Sequence, residues 1–422
     1  MPRLLLALGV GGLLLAINLW RPRRWPAALA IMSFFAGWLT GELALHSVIF
    51  QAAIATGLLL HGALSGWEGW LGLGLSLGAW TALLAAHRRG FGAAAAVEDA
   101  LRSALGDDWD DALLLPARPP IDWRRVLLPF PIRHPAVARH HGVEFCRHGQ
   151  QVLHLDVHRR RDAPTGCPTL VYVHGGAWIF GHRATQGLPL LQHMAALGWV
   201  CFSVDYRLSP RATFPDQLVD VKRAIAWVRA HGAEHGADPS FILLAGNSAG
   251  GHLAALAALT PNDPVYQPGF EEADTSVDGC IPFYGIYDFA DRFGHWPNRG
   301  LKWLLEHVVM KARHDRAREA WEAASPIARI HADAPPFLIL HGTNDTLVPV
   351  EEARRFEAAL RAISSAPVAY AELDGAQHAF EVFPSVRALG TIPAVARFAA
   401  WLHARWQARH HDAPPKKTGA AA

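Results

Sequence analysis

Polar positions almost vanish from the first ninety residues. Between Leu4 and Trp20 only Asn18 is polar, and between Pro26 and His87 the only charged side chains are Glu42 and Glu68. Four apolar segments result, at about Leu4–Trp20, Pro26–Gly41, Leu43–Leu64 and Trp70–His87, and no water-soluble domain has such a pattern. Residues 1–90 therefore predict an all-α, multi-pass integral membrane region with the lipid bilayer as its partner. Arg21, Arg23 and Arg24 form one basic loop, and Arg88 and Arg89 follow the last segment. If both clusters lie on the cytoplasmic side, the crossings between them are even in number. The domain that follows is then cytoplasmic, and one of the segments is re-entrant, interfacial or merged with its neighbour.

Residues 91–139 have a different character. They carry an acidic stretch from Asp107 to Asp111 and prolines at Pro116, Pro119, Pro120, Pro129, Pro131 and Pro135, which rules out one long helix. The segment predicts a connector in which Trp123, Val126, Leu127, Leu128 and Phe130 are apolar enough to pack over the next domain as part of a cap.

After residue 140 the period alternates between two and 3.6. Short apolar runs predict strands at Val152–Val157, Thr169–Val173, Val200–Val204, Phe241–Ala245, Cys280–Tyr284, Phe337–Leu340 and Val368–Leu373. Helical patterns lie between them at about Gly187–Leu197, Gln217–Ala230, Ser248–Leu259, Val350–Ala362 and Ile392–Arg409. Strands alternating with helices predict an α/β domain over 140–410, with a mostly parallel sheet covered on both faces. An insertion at about 286–325, carrying Trp296, Trp303, Leu304, Leu305, Val308, Val309 and Met310, predicts either a helical cap or ordinary core packing. The polar tail 411–422 predicts disorder.

Charge narrows the partners. With 39 basic and 37 acidic side chains there is no polyanion-binding excess, so nucleic acid is excluded as a partner. The 24 histidines are scattered: His231 with His235, and His410 with His411, lack a third ligand at metal-site spacing. Cys146, Cys167, Cys201 and Cys280 form no C-x-x-C pair and read as core thiols. No metal or cofactor is expected, and nothing in the sequence sets the oligomeric state.

Candidate chemistry gathers where predicted strands end, which in an open parallel sheet is the ligand-binding edge. The run ending at Ala245 enters Gly246-Asn247-Ser248-Ala249-Gly250, a G-x-S-x-G turn that would hold a serine hydroxyl clear of the backbone. A serine is a weak nucleophile unless an imidazole takes its proton and a carboxylate orients that imidazole. Asp345 and His378 follow later strands and supply both, in the order serine, aspartate, histidine.

Taken together, these motifs resemble the hormone-sensitive-lipase-like carboxylesterases of the α/β-hydrolase fold. The resemblance covers about Gly142 to His410 and is carried by His174-Gly175-Gly176-Ala177-Trp178, Asp205-Tyr206-Arg207-Leu208, Phe214-Pro215 with Asp220, Gly246 to Gly251, His341 to Asp345 with Val348-Pro349, and Gly375 with His378 and Phe380. It implies Ser248, Asp345 and His378 as catalytic residues. It further implies an oxyanion hole of backbone N–H groups at Gly176, Ala177 and Ala249, with Gly175 bending the loop. Two departures stand out: Ala177 replaces a common third glycine and narrows the acyl side, and Asn247 replaces an acidic neighbour of the nucleophile. His174 is expected to brace the oxyanion loop, His252 to be structural or a pocket wall, and Asp220 with Arg207 to form a buried ion pair or loop brace. The implied reaction is hydrolysis of a small-molecule or lipid ester with a short to medium acyl chain. Acyl transfer or deacetylation on a lipid or glycan with the same three residues is the alternative, and an inactive membrane-anchored binding module is the reading from another class.

Overall fold

The structure is a computed structural model that describes residues 1–111, 113–116 and 119–411. The expected disordered tail therefore lies almost wholly outside the described residues. Four apolar helices come first: α1 (Pro2–Trp20), α2 (Ala27–Glu42), α3 (Ala44–Leu60) and α4 (Trp67–Arg89). α1 and α4 lie side by side. Close approach is possible because Gly9 and Gly72 face the partner helix, where an added Cβ would stand 2.4 Å from backbone. α1 and the long helical stretch that begins with α4 are each long and apolar enough to cross a membrane. α2 and α3 meet that test only as a pair, bent by 89° at their junction.

Two short helices follow in the stretch read as a connector, α5 (Ala93–Leu105) and α6 (Trp123–Leu127). α5 is a departure from the expected connector. Its apolar stripe of Ala93, Val97 and Leu101 is buried in the core on one face of the sheet, because residues four apart share a helical face. Asp122 caps α6 by accepting from the Arg124 and Arg125 N–H groups.

The eight strands are β1 (Val137–His148), β2 (Gln151–Arg160), β3 (Cys167–Val173), β4 (Val200–Val204), β5 (Ala237–Asn247), β6 (Gly279–Phe283), β7 (Phe337–Gly342) and β8 (Val368–Leu373). Their order is β1-β2-β4-β3-β5-β6-β7-β8. β1, β2 and β4 pair antiparallel, and β4 onward is parallel. β1 was missed in the sequence because His140, His141, Glu144, Arg147 and His148 interrupt its apolar alternation, as an edge strand permits. The helices between strands are α7 (Leu188–Ala196), α8 (Asp216–His231), α9 (Ala249–Ala258), α10 (Gly300–Leu304), α11 (Arg318–Ala323) and α12 (Val350–Ile363), and α13 (Val386–His411) follows β8.

Core forms on both sheet faces, which is why β4, β5, β6 and β7 read as continuous apolar runs. The four cysteines are buried and free. Leu305, Val309, Met310 and Trp321 of the insertion after β6 are buried in the core on the α9 side. That part of the insertion is ordinary core packing, and the cover over the strand ends comes from elsewhere.

Candidate active site

Ser248 stands between β5 and α9 with φ 55° and ψ −122°, a strained conformation for a residue with a Cβ. The glycines around it permit the turn. A Cβ on Gly250 would lie 2.1 Å from Val173 O, and one on Gly246 would lie 2.4 Å from Gly250 O. The strand and the helix therefore cross too closely for any larger residue, and the Ser248 hydroxyl is left at the strand edge, half-buried.

Two loops bring the partners. Asp345 follows β7 and His378 follows β8, and β7 and β8 are adjacent and parallel. Ser248 Oγ lies 2.8 Å from His378 Nε2, and His378 Nδ1 lies 2.6 Å from Asp345 Oδ2. Asp345 is wholly buried and accepts from the Leu347 and Val348 N–H groups through Oδ1, at 2.9 and 2.8 Å. Burial alone would raise its carboxyl, but the His378 charge and hydrogen bonds from His341 and His378 hold it below the ordinary carboxylate range. It is thus an anion aimed at the one imidazole nitrogen that does not face the serine, which leaves Nε2 free to accept the serine proton.

The loop after β3 forms the other wall. Gly176, Ala177 and Trp178 all have positive φ (122°, 52° and 60°), so the bend falls one residue later than Gly175. The Gly175 amide donates to Asn247 Oδ1 at 2.7 Å and to Gln186 Oε1 at 2.9 Å, so it is not free to face an oxyanion. Position 175 is glycine because a Cβ there would stand 2.7 Å from Asn247 O and 3.0 Å from Ser248 Cβ. The amides of Gly176 and Ala177 find no acceptor among the described residues. Ala249 opens α9, where first-turn N–H groups have no intrahelical acceptor and the helix dipole favours negative charge. These three amides suit a developing oxyanion, and Gly175 serves as the anchor of the loop.

Several supporting side chains were not assigned a role from the sequence. Asn247, in the place of the expected acidic residue, ties Gly175 to the serine turn and donates from Nδ2 to Tyr284 Oη at 3.2 Å. Tyr284 in turn donates to the buried Glu381 and packs its ring 4.3 Å from that of His378. Burial raises the Glu381 carboxyl to about 7. His341 Nε2 lies 3.2 Å from Asp345 Oδ2 and 3.0 Å from Val348 O, giving the aspartate a second histidine. Gln377 Oε1 accepts from the Thr346 and His378 N–H groups at 2.8 and 3.0 Å, joining the two loops.

The remaining expected residues behave as braces. Buried His174 holds Gly175 O through Nδ1 at 2.8 Å and stacks on Tyr206; burial lowers its imidazole to about 4. His252 donates from Nε2 to Ala324 O, accepts from Trp178 Nε1 and stacks on Phe289, so it is a neutral wall behind the serine helix. Burial lowers it to about 3. Arg207 forms a two-pronged pair with Asp220, and His148 approaches the same carboxylate at 2.8 Å.

A mostly parallel sheet of this strand order, with a serine turn after its fifth strand and helices on both faces, defines an α/β-hydrolase. Comparison with known proteins agrees. The family model described as BD-FAE matches residues 155–360. The chain is 42% identical over 412 residues to the probable carboxylic ester hydrolase LipM of Mycobacterium tuberculosis (strain ATCC 25618 / H37Rv), covering 94% of this chain and 93% of LipM. It is 47% identical over 253 residues to the esterase LipQ of the same organism, covering 60% of each. Among solved structures, the esterase Est2 of Thermogutta terrifontis with bound butyrate matches with a TM-score of 0.51 and 26% identity, covering 67% of this chain and 97% of Est2. The chain belongs to the carboxylesterase family of α/β-hydrolases.

Proposed function

We propose that this protein is a serine carboxylesterase that hydrolyses carboxylic esters through an acyl-serine at Ser248. The observation that carries this reading is the continuous hydrogen-bond chain from Ser248 Oγ through His378 to Asp345. His378 Nε2 takes the serine proton as Oγ attacks the ester carbon, and the carbonyl electrons move onto the oxygen that faces the amides of Gly176, Ala177 and Ala249. Each preorganised donor of this kind is worth about 3–4 kcal/mol in the transition state. Collapse of the tetrahedral intermediate breaks the bond to the alcohol oxygen, which receives the proton from His378. Water, deprotonated by the same imidazole, then attacks the acyl-serine and releases the acid. The methyl group of Ala177 supports a short to medium acyl chain, and Est2, a neighbour of similar fold, binds butyrate. The chemistry requires no cofactor.

The membrane assignment is part of the same proposal. α1, α3 and α4 are taken as the crossings and α2 as an interfacial helix between them, a reading supported by the 89° bend between α2 and α3. Both arginine clusters then lie on the side of the catalytic domain, which the positive-inside rule makes cytoplasmic. A reporter fused after Arg89 that is active only outside the cytoplasm would reverse this orientation.

A fluorophosphonate probe tests the nucleophile. Wild-type protein is expected to be labelled at Ser248 and to hydrolyse p-nitrophenyl butyrate, and Ser248→Ala to lose labelling and at least about 10⁴-fold in kcat. Equal labelling of the variant would remove Ser248 from the mechanism.

A further inference from the structure

The candidate triad is roofed by α2, a part of the N-terminal helical region. One stripe of this helix faces the catalytic domain. Ala30 O accepts from Thr346 Oγ1 at 3.0 Å, Phe34 sets its ring edge-on to His378 with centroids 5.9 Å apart, and Trp38 Nε1 donates to Ala379 O at 2.8 Å. These positions are four apart and share a face. Both ends of α2 are pinned as well. Arg24 donates to Thr343 O and accepts from Asn298 Nδ2 through its carbonyl at one end, and Ser385 and Arg387 hold Glu42 at the other.

The outer faces of α2 are bare. Ile31, Met32, Phe35 and Leu39 are exposed, and Met32 is 66% exposed. Exposed apolar side chains are normal when scattered, but a contiguous band is a contact surface. The helices beside it are apolar enough to cross a bilayer, so the natural cover for this band is lipid.

On the same side a groove of about 700 Å³ runs between α1, α2 and α3, lined by Leu8, Gly11, Leu15, Leu29, Met32 and Phe50. From Leu8 to Asn18 it follows α1 for about 15 Å at 1.5 Å per residue, the reach of an extended acyl chain. Its end is polar: Ser33 Oγ donates to Asn18 Oδ1 at 2.6 Å. Asn18 Nδ2 and Gln377 Nε2 lie 3.3 and 3.4 Å from the point where a Cβ of Gly37 would stand. The polar end of the groove thus abuts Gln377, the residue preceding His378, at Gly37, where a larger residue would be crowded.

We propose that the substrate of this site is a membrane-resident lipid ester, drawn from the bilayer along α2. The apolar chain of its alcohol part lies in the groove between α1, α2 and α3, while the short to medium acyl group sits beside Ala177. Its ester reaches Ser248 by way of Gly37, and Phe34 is the plug that moves aside. A lipid ester fits because its chain is apolar over the length of the groove and its carbonyl oxygen accepts from Asn18 Nδ2, whose first hydrogen goes to Ser33 O at 2.9 Å. The proposal rests on Ser248 being the nucleophile, as argued above.

The test uses the full chain in phosphatidylcholine vesicles with two fluorophosphonates, one carrying an ethyl group and one a hexadecyl chain. The quantity read is the ratio of hexadecyl to ethyl labelling rates at Ser248. Gly11→Trp fills the groove from a position where an added Cβ meets nothing within 4 Å, and Ala7→Trp does so from a second exposed position that lines it. Comparing each variant with wild type cancels the partitioning of the long probe into lipid. The ratio is expected to fall at least tenfold in both variants. A ratio unchanged in variants that still react with the ethyl probe overturns the groove as the substrate path and leaves the esterase reading standing. Failure of wild type to react with either probe overturns both.

Discussion

Asn247→Ala is the sharpest test of how the serine turn and the oxyanion loop are joined. Asn247 is buried, and its Oδ1 accepts the Gly175 N–H at 2.7 Å. Truncation does not orphan that amide, because Gln186 Oε1 lies 2.9 Å from it, but it also removes the bond from Nδ2 to Tyr284 Oη, so the cost to stability is that of two hydrogen bonds, about 2 kcal/mol. The catalytic cost is separate. Gly175 leads directly into Gly176 and Ala177, whose amides we propose as oxyanion donors; losing one such donor outright costs about 3–4 kcal/mol. A loop held at one anchor instead of two weakens both without removing either, which puts the loss at about 1–2 kcal/mol, or roughly 5- to 30-fold. Because the donors act on charge that exists only in the transition state, the loss falls on kcat, with KM nearly constant. Steady-state kinetics on p-nitrophenyl butyrate separate the two, and thermal unfolding checks that the variant is folded. Asn247→Asp keeps the acceptor and is expected to recover most of the activity. A folded Asn247→Ala variant with kcat within twofold of wild type would refute the anchoring argument.

Two further substitutions follow from the same neighbourhood. Ala177 holds a left-handed conformation at φ 52°, which costs an alanine about 1–2 kcal/mol relative to glycine; Ala177→Gly is expected to raise the unfolding midpoint slightly and to shift a p-nitrophenyl ester series toward longer acyl chains, and an unchanged profile would show that the methyl group does not limit the acyl side. Glu381 is raised by burial to about 7, so folding favours its protonated form. The stability it contributes is complete below about 4.5 and is lost as pH rises through about 7. Urea unfolding between pH 5 and pH 8 should therefore show a decline that Glu381→Gln flattens; parallel curves for the two proteins would refute it.

The local patterns were enough to read the sheet and the serine turn. Apolar runs of strand length at Val200–Val204 and Val368–Leu373 coincide with β4 and β8; β4 is buried at every position, and β8 keeps enough buried positions at Val368, Ala369, Ala371 and Leu373 to be read despite lying at the sheet edge. The order of Ser248, Asp345 and His378 at strand ends was legible for a similar reason: a parallel sheet delivers the carboxyl ends of its strands to one edge whatever lies between them. β1 escaped because an edge strand with three histidines and two arginines carries no apolar run. α5 escaped because the prolines and acidic residues that follow it suggested a connector, although its own stripe at Ala93, Val97 and Leu101 has helical period.

By itself, then, the sequence determined what is local: which stretches are apolar, where most of the strands and the longer helices of the α/β domain fall, and which residues of the right chemistry stand at strand ends. Only the tertiary structure decided contacts between distant parts of the chain. It gave Asn247 and Gly175, 72 residues apart, a shared hydrogen bond, and set His341 as well as His378 against Asp345. It also laid Phe34, from a helix that reads only as apolar, against His378. Apolar periodicity records that a face must be buried and not against what, so the roof over this site appears only once the chain has folded.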